Sequence, residues 1–82
     1  MVMTEQEKLK FAEIVYQPYV EAWNLMKKLR DSELDWDKAV EDYIREADAF
    51  KSKYKTEIGA SLYRVIIDTP DEIKRLKSGK YN

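Results

Sequence analysis

A narrow polar stripe near the start of this chain restricts its fold more than any other feature of the sequence. Placed at about 100° per residue, Gln6, Lys10, Glu13, Gln17, Glu21, Asn24 and Lys28 fall along one line of a helical wheel. Most of the remaining positions are apolar: Leu9, Phe11, Ala12, Ile14, Val15, Tyr16, Tyr19, Val20, Ala22, Trp23, Leu25, Met26 and Leu29. A half-buried strand would alternate with a period of two, and this segment does not. The pattern predicts a helix over residues 5–30, covered on most of its sides. Thr4 followed by Glu7 is a capping box, in which the hydroxyl and the carboxylate each satisfy an orphan backbone N–H. Pro18 lies inside the stretch, lacks an N–H and sets its ring against the carbonyl of Ile14. Because the stripe keeps its phase across Pro18, one helix kinked there is expected rather than two.

The rest of the chain is equally short of turn residues. With two glycines and two prolines in 82 residues, there is too little punctuation for a sandwich or barrel. A polar break at Arg30–Asp35 offers Ser32 and Asp35 as caps. Trp36, Val40, Tyr43, Ala47, Phe50 and Tyr54 then step by four and three, a heptad seam flanked by Ala39 and Ile44. It predicts a helix over 36–55 that packs on the first as an antiparallel hairpin. Ile58, Leu62, Val65 and Ile66 have helical spacing, although the β-branched residues between Leu62 and Ile67 also suit a strand. No other segment alternates to pair with such a strand, so a helix over 57–68 is expected by elimination. In Thr69-Pro70-Asp71-Glu72 the threonine can cap, the proline fits a first helical position and Glu72 stands at the capping-box position. These signals predict a new short helix over 70–78, stopped by Gly79. The expected architecture is all-α: one domain over 1–82, a compact bundle of three main helices (5–30, 36–55, 57–68) with a short C-terminal helix.

The residue inventory removes several chemistries. No Cys means no disulfide, thiolate ligand or Cys nucleophile; no His means no imidazole ligand or general base near neutral pH. Thr4, Ser32, Thr69 and Ser78 sit where caps and turns are expected. The carboxylate pairs Asp37 with Glu41 and Asp42 with Glu46 lie on the exposed face of an acidic helix with no matching pair elsewhere. Gly59 and Gly79 are too far apart for a phosphate-cradling loop. The chain is therefore expected to be no enzyme, with no catalytic residue, no cofactor and no metal. No apolar run approaches the ~18 residues of a membrane span. The opening Met1-Val2-Met3-Thr4-Glu5 turns acidic at once and lacks the layout of a signal peptide, so a cytoplasmic location is expected.

Charge and aromatic placement supply the functional candidates. Residues 31–48 hold eight acids against two bases, a net of −6, and residues 51–82 hold eight bases against four acids, a net of +4. Lys51, Lys53, Lys55, Arg64, Lys74, Arg75 and Lys77 could form a nucleic-acid surface with Tyr54, Tyr63 and Tyr81 interleaved. Thr56-Glu57-Ile58-Gly59-Ala60-Ser61 faintly echoes a helix-turn-helix, but a pI near 5.5 speaks against that use. Tyr16, Tyr19, Trp23, Trp36 and Tyr43 are candidates for a protein interface, because Tyr and Trp dominate interface hot spots. The expected function is a non-enzymatic protein-interaction module that self-associates or binds another protein. The alternative is a nucleic-acid-binding accessory protein using the basic C-terminal third.

The stretch Lys8-Leu9-Lys10-Phe11-Ala12-Glu13-Ile14-Val15-Tyr16-Gln17-Pro18-Tyr19, ending in Trp23, resembles the opening of small all-helical accessory proteins of phages and mobile elements in Gram-positive bacteria. The resemblance covers residues 8–23 and implies an accessory role without a defined activity or any transferable site residue.

Overall fold

The computed structural model describes residues 2–79, and among them the chain forms helices and no strand. The first rod comprises α1 (Glu5–Phe11), a π-helical turn (Ala12–Tyr16) and α2 (Gln17–Arg30), which follow one another without a break. Its start is the expected capping box. Thr4 Oγ1 accepts from the Glu7 N–H at 3.1 Å, and Glu7 Oε1 accepts from the Thr4 N–H at 2.9 Å. Those bonds hold the Glu7 carboxyl below its ordinary pKa.

The rod passes Pro18 in a way the sequence does not announce. The turn just before the proline widens, and the Gln17 N–H reaches back five residues to the Ala12 carbonyl. Each such turn holds about one residue more than an α-turn, relieving the crowding between a proline ring and the carbonyl four positions back. It also rotates the faces upstream by about 100° relative to those downstream. The polar stripe therefore does not run through in one phase. Pro18 itself is among the most deeply buried residues of the molecule.

α3 (Trp36–Lys53) begins at Asp35, whose side chain makes no capping bond; Ser32 instead accepts from the Leu34 N–H at 3.2 Å. The heptad seam faces inward as expected: Tyr43, Ala47 and Phe50 are buried, and Trp36, Val40 and Tyr54 are half-buried. α4 (Glu57–Lys77) starts at Thr56, whose hydroxyl accepts from the Gly59 N–H at 3.0 Å. The segment read as helical by elimination is helical.

The separate short helix over 70–78 is overturned, because α4 runs straight through Pro70 to Lys77. Pro70 cannot donate to Ile66, the carbonyl four residues back that an α-helix would offer it. The phenolic O–H of Tyr43 takes that place, donating to the Ile66 carbonyl at 2.7 Å from across the core. Thr69 does not cap a new helix; its hydroxyl donates back to the Val65 carbonyl at 2.7 Å. Gly79, at φ 76°, is the stop that was expected.

α2, α3 and α4 each pack on the other two. Ion pairs between α2 and α3 (Lys28 with Glu46, Glu21 with Lys53) show them antiparallel. Tyr43 on Ile66, Tyr63 on Asp48 and Lys77 over Trp36 show the same for α3 and α4. The core between them is Ala22, Leu29, Ala39, Tyr43, Ala47, Phe50, Leu62, Ile66 and Ile73. The alanines let the helix axes come close but bury little area each.

The rod is about 39 Å long against about 27 Å for α3 and about 31 Å for α4, at about 1.5 Å per residue. α3 ends level with Glu21, where Lys53 pairs, and α4 begins beside Tyr16 and Tyr19. Upstream of that level the rod overhangs its partners, and α1 and the π turn contain no buried residue. The expectation that the first helix is covered on most sides is corrected for this N-terminal half. Neither is the shape compact: the Cα radius of gyration is 15.3 Å, against about 12 Å for a compact chain of this length.

Candidate functional site

The overhanging arm carries exposed apolar side chains, and an apolar cleft lies between α2 and α4 at its base. On the arm, Leu9, Phe11 and Ile14 are exposed. Where the rod meets the body, Tyr16, Tyr19, Val20, Trp23 and Met26 face Ile58, Ser61, Leu62 and Val65 across a groove of about 570 Å³. Its floor is Ala22 and Leu62, both buried, and its walls are large side chains, which is why it is a groove rather than a flat face. Among the described residues, no charged one lines it. Phe11 is 54% exposed, Tyr16 59%, Tyr19 53% and Trp23 55%. Scattered exposed apolar residues are ordinary, but a contiguous apolar patch on a small protein marks an interaction site.

The arm's own charges are paired locally. Lys8 lies 3.5 Å from Glu5 and Lys10 lies 3.6 Å from Glu13, while Glu7 is held by Thr4. Its charged groups have partners within the arm, whereas Leu9, Phe11 and Ile14 are exposed.

A second groove, between α2 and α3, has a volume of about 400 Å³ and is lined by Glu21, Asn24, Leu25, Lys28, Glu46, Ala49, Phe50 and Lys53. Two ion pairs cross it. Partial burial pushes the Glu21 carboxyl up, but hydrogen bonds from Lys53 and Tyr54 outweigh this and leave it below its ordinary value. Lys28 is raised by its hydrogen bond to Glu46. These groups already satisfy one another, so this groove has little left to offer a ligand.

Of the five aromatic residues expected at an interface, the fold brings together Tyr16, Tyr19 and Trp23. Tyr43 is removed from that set: it is 2% exposed and its hydroxyl is used inside the core. Trp36 is half-buried at the far end of α3, with the Lys77 ammonium 4.8 Å from its ring centre. The sequence reading missed Leu9 and Phe11 as surface residues and missed the α4 wall entirely. One signal for the arm was available: the first predicted helix was much longer than any helix predicted to cover it.

The basic residues proposed for nucleic acid are dispersed. Lys51, Lys53 and Lys55 stand at the end of α3, whereas Lys77 sits by Trp36 at its start, about 27 Å away by helix rise. Lys53 pairs with Glu21 at 2.6 Å, and Arg75 with Glu72 at 2.8 Å. Arg64 is exposed near the middle of α4 and Lys74 near its end. Tyr63 and Tyr54, expected to stack on bases, lie under Lys51 and Lys53 at 4.9 and 5.3 Å. Gly59 lies in the first turn of α4 rather than in the connection, unlike a helix-turn-helix glycine. Lys80 and Tyr81 lie outside the described residues.

Three acids of α3 form ion pairs, Asp42 with Lys38 and Arg45, Glu41 with Arg45, and Glu46 with Lys28. Among the described residues no group of three or more acids is placed to hold a metal ion. No helix among them is long and apolar enough to cross a membrane.

Fold and site together define a small all-α protein with a projecting helical arm and an apolar groove at its base. Comparison with known protein families, curated proteins and solved structures returned no match.

Proposed function

We propose that this chain is a non-enzymatic protein-interaction module of the cytoplasm that self-associates through its N-terminal arm and the groove beside it. The observation that carries the reading is the half-exposed set of Tyr16, Tyr19 and Trp23 along the uncharged groove, with Phe11 exposed on the arm beyond it. Aromatic side chains in such numbers supply hot-spot energy when a partner excludes water from them. The three mutually packed helices serve as the bundle that holds this surface in place. The accessory role implied by residues 8–23 is compatible with a module of this kind and remains part of the proposal. Light scattering across a dilution series from millimolar to micromolar tests the reading. Mass falling with dilution is expected; a monomer at every concentration overturns self-association.

A further inference from the structure

The reading above leaves open what covers the arm, and one occupant fits both halves of the surface. We infer that the arm of one copy lies in the groove of a second copy, whose own arm lies in the groove of the first. This rests on the self-association reading and gives it a geometry.

Three observations support it. The first is fit. The groove wall from Tyr16 to Met26 runs about 15 Å along the helix, and the arm from Glu5 to Tyr16 runs about 17 Å. The apolar residues of the arm begin at Leu9 and reach Tyr16 over about 10 Å, a length the uncharged groove can take. A two-fold axis fills both at once, and the contact closes rather than propagating.

The second is area. Half-exposed aromatic side chains leave roughly 100 Å² each, and Ile14 and Val65 bring the total to roughly 500 Å² per copy. A standard interface covers about 800 Å² per partner, which the flanking helix surface can complete.

The third is charge. The arm carries Glu5, Glu7, Lys8, Lys10 and Glu13, nearly balanced and locally paired, so two copies meet without like-charge repulsion. A strongly charged partner would find nothing on this surface to answer it.

The test uses two full-length variants with exposed substitutions, Phe11→Lys on the arm and Val65→Glu in the groove, each checked for helicity by circular dichroism. Each variant alone is expected to weaken association by more than about tenfold. An equimolar mixture should recover it, because one arm–groove contact is then native and the other sets lysine against glutamate. Where either substitution lowers helicity, Ile14→Lys and Ser61→Glu take its place. If Val65→Glu associates like the native chain while Phe11→Lys does not, or if the mixture stays dissociated, the reciprocal geometry is overturned and self-association stands. A native chain that is monomeric at millimolar concentration overturns both.

Discussion

Tyr43 and Pro70 are two residues whose roles make sense only together. The proline deprives the Ile66 carbonyl of its helical donor, and the buried phenol supplies a substitute at 2.7 Å. Tyr43→Phe keeps the shape but leaves that carbonyl unsatisfied in the core, at a cost of about 1–3 kcal/mol. For a chain of this size the melting temperature should drop by about 4–8 °C per kcal/mol. In a Pro70→Ala background the new N–H can serve Ile66, and the same Tyr43→Phe change should cost less. Equal costs in the two backgrounds, measured by urea unfolding, would show that the phenol does not stand in for the missing N–H. The pH dependence follows from the same group. Burial pushes the Tyr43 hydroxyl up to about 12, with the nearby Thr69 hydroxyl opposing it only in part. Since the folded pKa lies above the unfolded value near 10, this contribution is complete below about pH 10 and is lost as pH rises toward 12. Melting followed from pH 8 to 12 should therefore fall less steeply in Tyr43→Phe. Some slope should persist from Tyr54, raised chiefly by burial, and Tyr63, raised chiefly by its bond to Asp48.

At the scale of elements, the turn between α3 and α4 and the arm make opposite demands. The turn is tight because Gly59 lets the first turn of α4 close onto the end of α3. A Cβ there would sit 2.0 Å from the Tyr54 carbonyl oxygen, a backbone atom that cannot swing away. Gly59→Ala should destabilise by about 1–3 kcal/mol or more, read as a lower urea midpoint, despite alanine's better helix propensity. A neutral or stabilising result would mean that the turn opens at little cost. The arm is the reverse case, helical yet unsupported. Helical segments of this length are marginal in water without tertiary contacts. Its continuity with α2 and its capping box extend the helix, but residues 5–16 should lose amide protection first. Hydrogen exchange on dilute protein should show them the fastest-exchanging helical segment, with protection returning as concentration rises. Protection equal to that of α3 in dilute protein would contradict this.

For the molecule as a whole, the decisive quantity is how little the core holds. Among the described residues, three of the nine buried apolar ones are alanines, and Ile66 is the largest aliphatic side chain buried almost completely. Chains of roughly this size rarely reach more than about 3–5 kcal/mol from a single core. Ile66→Ala removes about 2–5 kcal/mol, so it should leave the chain largely unfolded at 37 °C. Circular dichroism against temperature checks this, and a cooperative transition well above 37 °C would show that the core carries more than its size implies. The ion pairs on the surface do not alter the estimate, because exposed pairs contribute about 0–1 kcal/mol each.

How much of this was legible depended on how far each signal reached along the chain. The capping box at Thr4 and Glu7, the seam from Trp36 to Tyr54 and the stop at Gly79 are local patterns. Periodicity and capping involve residues a few positions apart, and the sequence by itself determined them, along with the all-α class. The site was half legible: Tyr16, Tyr19 and Trp23 were identified from their chemistry, but Tyr43 has the same chemistry and lies in the core. Pro70 shows the limit most clearly. Thr69, Pro70 and Glu72 carry every local mark of a helix start, yet a hydroxyl 23 residues away in the chain satisfies the Ile66 carbonyl and the helix continues. The tertiary structure alone decided that outcome, the π turn before Pro18, and which face of the first rod remains uncovered. Each depends on which groups meet across space, and a one-dimensional pattern does not record those meetings.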